Sequence, residues 1–528
     1  MSFRGSIATE ESTVCYVFLD SSLCSEWRVR CSEWREWCSE NRVWSSIDFS
    51  ALFIIYLYVV YYHWNMADKN QSFIDSPDNV LYDIFLKWLS EDTIKKISFD
   101  LQEPDWMLQH RLESLKIFRE IKKPNFGPDI SSIDFDNLVY YAKPKKWFAW
   151  AADSWDKVPQ NIKNIFQRLN IPEAEQQFLA WVGGQFDSSV VYHKLKEKRQ
   201  KSWIIFDDIS VAIREHPDLV RKYFMKLVPP TDHQFAALHG AVWSGGTFVY
   251  IPEWIQISDP LQAYFRMNTY EGWQFEHTLI VLEDSTSCSY IEWCSAPKYD
   301  KRSLHAGCVE IFVGKNSSMR YTSVENWSLN TFNLNTKRAL VEENSHMEWI
   351  GGNLGSWATM LYPCTILKWD HSTSDNLSLV VASKNQHQDV WTKVIHIWKN
   401  TSSNTISKSI SKTGWVNTFR GLVQIQPWAE NAVASTRCDA LLLDEISVSD
   451  TIPTIQIKTD DATVSHEATA GKIDENQLFY LMSRWLTEEK AMAMIVNGFI
   501  SSVTKELPLE YAWELNHLIQ LEMEGSVG

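Results

Sequence analysis

Three residues near the end of the chain carry side chains from which a metal or sulfur site can be built. Cys438 supplies a thiol, and His466 and Glu467, in the stretch SHEAT, supply an imidazole and a carboxylate 28 residues later. These groups are ligands for iron or zinc, and such a thiol can also handle sulfur. The alternative is structural, because a lone buried Cys usually serves as a small hydrophobe and a His at a strand end is usually just hydrogen-bonded.

The stretches around these residues predict strands rather than helices. From about residue 200 to 460, β-branched runs of about five to seven residues follow one another, separated by Gly, Ser, Asn, Asp or Pro; examples are GTFVYIP, TLIVLED, CSYIEWC, LSLVVAS and KVIHIW. No helical pattern of 10–15 residues interrupts them, so we expect an all-β sandwich, barrel or solenoid. Many evenly short strands favour a solenoid, although no strict period is visible. Adjacent turns of such a core would bring Cys438 close to His466.

Helical periodicity marks both flanks of the β region. Residues 70–170 hold apolar residues at i, i+3, i+4 and i+7, and Ser90 is a candidate N-cap. Residues 474–523 are helical again, with Thr487 as a cap followed by acidic residues. This C-terminal segment is expected to dock a partner, to cover the open end of the sheet, or both.

Composition restricts the class of protein. The net charge of −16 over 528 residues argues against nucleic acid or an anionic membrane as the main partner. Nine cysteines without a pairing framework indicate a reducing compartment, and we expect a cytoplasmic protein. Residues 1–65 differ from the rest, and their apolar run, residues 51–62, is too short to span a membrane. We expect translation to start at Met66; the alternative is that residues 1–65 anchor the chain to a membrane.

A series of motifs in order resembles the SufB/SufD family of the SUF iron–sulfur cluster assembly system. The resemblance covers nearly all of residues 75–528. It rests on EPDWMLQHRL, AVWSGGTFVYIP, SLHAGCVEI, ENWSLNTFNLNTKRA, MEWIGGNLGS, HQDVWTKVIH, KNTSSNTISKSISK, STRCDALLLDE and SHEATAGKIDENQLFYLMSR, among others. The SHEAT stretch and Cys438 favour the cluster-building branch of the family over the SufD branch, a structural subunit without its own cluster site.

The resemblance implies a fold and a domain organisation. The expected fold is mainly β, a right-handed parallel β-helix between N-terminal and C-terminal α-helical domains. Residues 1–65 would be an atypical extension, 66–199 the N-terminal mainly helical domain, 200–473 the β-helix core, and 474–528 the C-terminal helical domain that docks an ATPase.

The resemblance also implies a function and partners. The expected function is that of a non-catalytic scaffold that accepts persulfide sulfur and builds a transient 4Fe-4S or 2Fe-2S cluster for apo iron–sulfur proteins. The implied partners are the ATPase SufC, the paralogue SufD, and a SufE- or SufU-type donor with a cysteine desulfurase. Neither nucleic acid nor a membrane is expected as a partner. Family members can bind reduced FAD in their complex, but this sequence has no flavin fingerprint, and it has no Walker A pattern for ATP.

Particular residues match the family's functional positions. Cys294, in YIEWCSAP, matches the sulfur acceptor; Cys438, Glu467 and His466 match the cluster-building site. Four further residues match a proposed sulfur path through the β-helix: Arg266, Asn268, Trp327 and Lys337. Nearby Arg or Lys is expected to lower the pKa of a relay thiol.

Two positions depart from the family pattern, and two other functions compete with the scaffold. Ser465 stands where many relatives carry Glu, and Glu325 where some carry Gln. Cys288, Cys308 and Cys364 are expected to be core thiols.

A carbohydrate-active β-helix enzyme would need a pair of acidic residues, and the sequence offers no persuasive pair. An adaptor that only docks the ATPase would lose nothing when Cys294 or Cys438 is replaced.

Tryptophan is abundant and glycine scarce. The chain has 26 Trp and 19 Gly, where average usage predicts roughly 37 Gly. In the family pattern Gly is usual at ten positions that hold Trp here, and at Trp415 as well: Trp88, Trp181, Trp203, Trp254, Trp273, Trp293, Trp391, Trp398, Trp428 and Trp485. The family itself uses Trp at four others: Trp106, Trp243, Trp327 and Trp349. We expect that the gene comes from a lineage that reads UGA as glycine and was translated with UGA as tryptophan.

Overall fold

A computed structural model describes most of the chain after residue 81. The described residues are 82–135, 138–144, 181–186, 189–195, 203–266, 273–295, 303–383, 386–507, 512 and 515–520. The chain divides into two compact units, Met1–Ser72 and Phe73–Gly528, and every described residue belongs to the second. The prediction for residues 1–65 therefore lies outside the described residues.

Strands make up most of the described chain. They are β1 Tyr82–Lys87, β2 Val139–Pro144, β3 Trp181–Phe186, β4 Ser189–Leu195, β5 Ile205–Asp208, β6 Thr247–Ile251, β7 Leu261–Arg266, β8 Trp273–Gln274, β9 His277–Leu282, β10 Ser287–Ser295, β11 Ser303–His305, β12 Cys308–Val313, β13 Ser318–Trp327, β14 Thr331–Val341, β15 His346–Gly355, β16 Ala358–Leu367, β17 Thr373–Ala382, β18 His387–His396, β19 Ser402–Ser411, β20 Val416–Ile425, β21 Ala432–Leu442, β22 Val448–Ile457 and β23 Ala462–Lys472.

All of these strands except β1 and β2, which pair with each other in a separate antiparallel sheet, form a solenoid of two mainly parallel sheets. The first sheet has the order β4-β3-β7-β10-β13-β15-β17-β19-β21-β23, and the second has the order β5-β6-β9-β12-β14-β16-β18-β20-β22. From β12 onward the chain alternates between the sheets, and each strand pairs in parallel with the strand one turn earlier. The short strands β8 and β11 pair with each other, and β11 also pairs with β14. The solenoid has about seven turns. The prediction of a mainly β, solenoid fold is confirmed.

The strands are longer than the sequence predicts. From β13 onward they run over 10 or 11 residues, for example β19 with the sequence SSNTISKSIS. Ser403, Thr405 and Ser407 on β19 are buried, and Ser407 hydrogen-bonds to Ser378 one turn earlier at 3.2 Å. Polar residues that usually mark turns here form ladders inside the solenoid, so the apolar runs show only part of each strand.

Helices are few beside the strands: seven run over their full bounds among the described residues, and residues 515–520 are helical as well. The seven are α1 Glu91–Asp100, α2 Asp105–Glu120, α3 Ile209–Glu215, α4 Pro217–Tyr223, α5 Gln234–Val242, α6 Glu475–Met482 and α7 Glu488–Thr504. The predicted caps are confirmed: Ser90 accepts the backbone N–H of Thr93, and Thr487 that of Lys490. No helix among the described residues is long and apolar enough to cross a membrane.

The prediction of an all-β region from residue 200 was wrong in its first part, where α3, α4 and α5 lie between β5 and β6. All nine residues of α5, QFAALHGAV, are buried. A helix that is apolar on every side lacks the periodicity by which a surface helix is recognised. Among residues 66–199, the described part holds α1 and α2 but also β1 to β4.

The C-terminal helix covers the face of the first sheet rather than its open end. Val496, Ile500 and Val503 of α7 join the apolar cluster that includes Ile291 and Val324 of the sheet. The preceding helix, α6, buries none of its residues. The prediction that this segment covers the open end of the sheet was therefore wrong for α7, which packs on the outer face, and the last strands, β22 and β23, remain largely exposed.

Candidate functional site

Cys438 and His466 meet across adjacent strands of the first sheet. Cys438 lies on β21 and His466 on β23, and the parallel register places His466 opposite Thr436, two residues before Cys438. Both side chains point to the same side, and the Sγ and Nε2 atoms are 3.5 Å apart. The separation of 28 residues therefore corresponds to one turn of the solenoid, as the sequence predicts.

In this pair the thiol is protonated and the imidazole neutral. Burial, followed by the carboxylate of Asp439, raises the pKa of the Cys438 thiol to about 12. Burial also lowers the pKa of His466 below its ordinary value. The thiol thus donates to Nε2, and a metal ion that binds here replaces the thiol proton.

Glu467 does not join this pair. Successive residues of a strand point to opposite faces, and Glu467 lies opposite the exposed Arg437. Ser465, on the same face as Glu467, donates to Ser435 at 3.2 Å. The structure brings together two of the three residues predicted for cluster building and leaves the carboxylate exposed on the other face.

Cys294 lies inside the solenoid on β10. It is fully buried, as is Glu292 two residues earlier, whereas Ile291 and Trp293 point outward into the apolar cluster beneath α7. The Sγ atom of Cys294 lies 3.7 Å from Glu292 Oε1. This alternation places the predicted sulfur acceptor in the interior of the first sheet.

A buried ion pair stands beside Cys294. Lys337 on β14 and Glu325 on β13 are almost completely inaccessible, and Nζ and Oε1 are 3.1 Å apart. Glu325 also accepts Asn333 Nδ2 at 2.6 Å and Trp327 Nε1 at 3.3 Å. Burial alone would raise the pKa of Glu325, but Lys337, His305 and these donors outweigh it and hold the pKa below its ordinary value. Lys337 is therefore no solvated surface charge.

Glu276 and His305 complete the surroundings of the thiol. A carboxylate oxygen of Glu276, a ring nitrogen of His305 and the Sγ of Cys294 lie within 4.8 Å of one another. His305 Nδ1 donates to Asn333 Oδ1 at 2.8 Å, and its Nε2 contacts Glu276 Oε1. The imidazole ring packs on the indole of Trp327, with 4.2 Å between the ring centroids.

The pKa of the Cys294 thiol is raised, whereas the sequence predicts a thiol whose pKa a nearby lysine lowers. Burial raises the pKa of Cys294 well above its ordinary value, and the carboxylates of Glu292, Glu276 and Glu325 raise it further. Lys337 acts in the lowering direction but does not outweigh them. The expectation that a nearby Lys leaves a relay thiol with a lowered pKa was wrong for Cys294, because burial and the three carboxylates outweigh Lys337.

The remaining predicted residues are described only in part. The backbone of Arg266 lies at the end of β7 opposite Ser295, and its side chain lies outside the described residues, as does all of Asn268. Cys288, Cys308 and Cys364 are buried. Cys308 lies near His239 and His277, but those imidazoles already bond each other at 3.1 Å, so the core interpretation of Cys308 fits.

Sequence reasoning missed Glu276, Glu292 and His305. The signal was present for Glu292 and His305, which are flanked by apolar residues in YIEWC and SLHAG, whereas Glu276 stands between Phe275 and His277. A charged residue within a buried strand is rarely there without a partner. The partners come from other turns of the solenoid, so only the fold reveals them.

A row of small residues connects the two thiol sites. The register runs from Glu292 through Ser323, Gly351, Ser378 and Ser407 to Cys438. No atom lies within 4 Å of the position that a Cβ on Gly351 would occupy, so space is open beside it. Four strands separate β10 from β21, which corresponds to roughly 24 Å between the sites.

Fold and site together define a class of protein: a parallel β-solenoid that presents buried thiols beside imidazole and carboxylate groups. Two family models match the chain. One, for the SufBD core domain of SUF system FeS cluster assembly, matches residues 265–499, and one for the SufBD protein N-terminal region matches residues 154–263.

Curated relatives agree with these models. The iron–sulfur cluster assembly protein SufB of Bacillus subtilis (strain 168) is 47% identical over 467 residues, which are 88% of this chain and 98% of that protein. An iron–sulfur cluster assembly SufBD family protein of Staphylococcus epidermidis (strain ATCC 12228) is 48% identical over 440 residues, or 83% of this chain and 94% of that protein. The chain belongs to the SufBD family of iron–sulfur cluster assembly proteins.

Proposed function

We propose that this protein is a non-catalytic scaffold on which an iron–sulfur cluster is assembled, with sulfur entering at Cys294 and the cluster forming at Cys438 and His466. The observation that carries the proposal is the contact between Cys438 and His466 at 3.5 Å. A thiolate and an imidazole supply two ligands, and positions left to solvent, partner or substrate keep the cluster releasable.

Sulfur reaches Cys294 by persulfide exchange. The Cys294 thiolate attacks the outer sulfur of a donor persulfide, the S–S bond of the donor breaks, and the donor leaves as a thiol after taking up the proton that Cys294 gave up. The product is a Cys294 persulfide with no net oxidation or reduction. Because the two sites lie roughly 24 Å apart, a small thiol carries the sulfur onward: it takes the outer sulfur from the Cys294 persulfide, which returns to a thiol, and passes it to Cys438 by a second exchange of the same kind.

The row of small residues supports a route between the two thiols. Ser323, Ser378 and Ser407 have short side chains, and Gly351 has none. Lys337 Nζ lies 3.0 Å from Ser323 Oγ at the Cys294 end of the row, where a cation stabilises an anionic persulfide. Trp327 and Lys337 border this end of the route, and we assign Arg266 and Asn268 to it from the family pattern.

The partners follow from the family and from the exposed end of the solenoid. β22 and β23 are the last strands of their sheets among the described residues, and exposed edges of this kind are usually covered. We assign this end to SufD or a second copy of the chain, and the C-terminal helices to the ATPase SufC. A SufE- or SufU-type protein with a cysteine desulfurase supplies sulfur, apo iron–sulfur proteins receive a 4Fe-4S or 2Fe-2S cluster, and the complex is cytoplasmic.

Anaerobic reconstitution with iron and sulfide tests the cluster site. We expect the wild-type chain to form a cluster visible in UV–visible and Mössbauer spectra, and Cys438→Ala to form none. Cys364→Ala is the matched control, because it removes another buried thiol that has no imidazole partner among the described residues. Equal cluster yield from Cys438→Ala would instead favour a structural subunit of the SufD type.

A further inference from the structure

We propose that Cys294, Glu276 and His305 form a binding site for a single divalent transition-metal ion, iron(II) or zinc(II). The site is separate from the cluster site at Cys438 and His466. The proposal does not depend on sulfur transfer, because it rests on the arrangement of three ligand groups inside the solenoid.

The donor atoms are of the right kinds and close enough. Cys294 Sγ, a carboxylate oxygen of Glu276 and a ring nitrogen of His305 lie within 4.8 Å of one another. Tetrahedral ligands at about 2.0–2.3 Å from a zinc ion stand roughly 3.5 Å apart, so side-chain shifts of about 1 Å bring the three atoms onto one ion. Thiolate, imidazole and carboxylate together suit zinc or iron(II) rather than magnesium or calcium.

Asn333 and Trp327 hold the His305 imidazole in an orientation that lets one ring nitrogen bind a metal ion. Asn333 Nδ2 donates to Glu325, so Asn333 Oδ1 is free to accept His305 Nδ1–H at 2.8 Å. This bond directs Nε2 toward Glu276 and Cys294, and a hydrogen bond from the second ring nitrogen is the usual support of a metal-binding His. The stacked indole of Trp327 fixes the plane of the ring.

A buried oxygen without a partner points to a missing ligand. Glu276 is 3% exposed, and its Oε2 has no hydrogen-bond partner among the described residues. Leaving a buried carboxylate oxygen unpaired is unfavourable, because the oxygen loses its bonds to water and gains none in return. A Cβ on residue 307 would approach Glu276 Oε1 to 2.7 Å, so Gly307 leaves the carboxylate its room.

The site accepts a dication without a change in net charge. One proton lies in the contact between His305 Nε2 and Glu276 Oε1, and a second is on the Cys294 thiol. One metal ion enters and these two protons leave, while the thiolate and the carboxylate balance the two positive charges. Charge balance matters because an uncompensated charge is very unfavourable in a buried site.

A second buried group among the described residues, His239, His277 and Cys308, is less suited to bind a metal ion. His239 Nε2 and His277 Nδ1 bond each other at 3.1 Å, and His239 Nδ1 bonds to Ala306 O at 3.0 Å. His277 Nε2 lies 3.2 Å from Glu310 Oε2. Three of their four ring nitrogens are hydrogen-bonded to protein groups, and the fourth, His277 Nε2, makes no hydrogen bond to any described residue but faces the Glu310 carboxylate, so this group provides an internal comparison.

Cobalt(II) is the probe, because cobalt–thiolate coordination gives charge-transfer and ligand-field bands in the visible and near-ultraviolet. The full chain carrying Cys438→Ser, which removes the thiol of the cluster site, is freed of metal and titrated anaerobically. We expect one cobalt ion per chain with thiolate bands. Adding Cys294→Ser should abolish the bands, and adding His305→Ala should weaken cobalt binding at least 10-fold.

Two further variants keep the result decisive. Glu276→Gln preserves side-chain size and a hydrogen bond to His305 but removes the anionic ligand, so it should bind cobalt at least 10-fold more weakly at an unchanged thermal midpoint. His239→Gln alters the comparison group and should leave the bands unchanged. Absence of cobalt bands in the Cys438→Ser chain, or bands that persist after Cys294→Ser and Glu276→Gln, would overturn the proposal.

Discussion

Cys294 and Cys438 lie on the same inner face of one sheet, and the row that ends at Cys438 begins at Glu292, two residues from Cys294. The intervening residues of the row are Ser323, Gly351, Ser378 and Ser407. Because these strands keep a parallel register with their neighbours, the solenoid places two thiols 144 residues apart in sequence near opposite ends of one row.

Filling the open space on this row should stop sulfur transfer without harming the cluster site. In Gly351→Val, the new side chain occupies space where no atom now lies within 4 Å of the Cβ position. We expect persulfide to load onto Cys294 normally and its transfer to Cys438 to fall at least 10-fold, measured by peptide mass spectrometry with an isotopically labelled donor. Reconstitution with free sulfide should be unaffected.

The neighbouring glycine supplies the matched control. Gly352 faces outward, where a Cβ would make ordinary contact with Leu515 at 3.6 Å. Gly352→Ala should therefore transfer sulfur like the wild type. Equal transfer rates in Gly351→Val and Gly352→Ala would remove the row from the sulfur route.

The thiol of Cys438 should react slowly at neutral pH. Its pKa of about 12 lies some three units above the ordinary value of 9.0, so at pH 8 the thiolate fraction is roughly 1000-fold smaller than that of an unperturbed thiol. We expect alkylation by iodoacetamide to accelerate with rising pH up to about 12. The same peptide in urea serves as the reference, and a plateau near pH 9 in the folded chain would contradict the assignment.

The buried pair of Lys337 and Glu325 should be sensitive to loss of one partner. Lys337→Met leaves Glu325 buried without its cation, and we expect a loss of about 3–5 kcal/mol in the free energy of unfolding. Adding Glu325→Gln removes the stranded charge and should restore part of that loss, as denaturant unfolding would show. If the changes that the two substitutions cause in the free energy of unfolding simply add, the two residues do not interact.

The pair of Lys337 and Glu325 should also make the free energy of unfolding depend on pH. The pKa of Glu325 in the folded chain lies below its ordinary value of 4.5, so its contribution to stability is present above about pH 4.5 and is lost as the pH falls toward the folded pKa. The Glu325→Gln variant should lack this part of the acid dependence. An acid unfolding curve identical to that of the wild type would contradict this.

The sequence predicts the cluster site better than the sulfur-entry site. Cys438 and His466 are one solenoid turn apart, so the spacing alone places them together. Glu276, Cys294 and His305 come from three different strands or their flanks, and no spacing rule links them. Their proximity depends on how β8, β10 and β11 stack, and α5 was missed because burial on all sides erases the helical pattern.

The exposed face of α6 offers a test of ATPase docking. Deleting residues 474–528 would also uncover the sheet face beneath α7, so substitutions on α6 are cleaner. Phe479 and Tyr480 are 74% and 57% exposed. We expect Phe479→Ala with Tyr480→Ala to reduce co-purification of SufC at an unchanged thermal midpoint, whereas the exposed Phe99→Ala should not. Undiminished SufC binding would place the docking site elsewhere.

The tryptophans divide into two groups in the structure. Trp243, Trp327 and Trp349, where the resemblance implies Trp, are at most 4% exposed. Four of the residues where the resemblance implies Gly instead combine a left-handed backbone with exposure of 64–97%: Trp88 (φ 63°), Trp203 (φ 57°), Trp254 (φ 67°) and Trp485 (φ 71°). Among the described residues, the other Trp positions lack a positive φ, so backbone strain applies to these four and not to all ten.

Glycine at these four positions would be the native residue if the gene reads UGA as glycine. A left-handed backbone costs a side chain roughly 1–2 kcal/mol and costs Gly nothing. In the chain as written, each of the four Trp→Gly changes should therefore raise the free energy of unfolding by about 1 kcal/mol. Trp428→Gly is the control, because Trp428 is 69% exposed without a positive φ, and there Gly should be neutral or destabilising.

Mass spectrometry of the native protein across Tyr290–Lys298 tests directly whether UGA is read as glycine. We expect Gly at position 293, and a mass that requires Trp there would refute the UGA assignment.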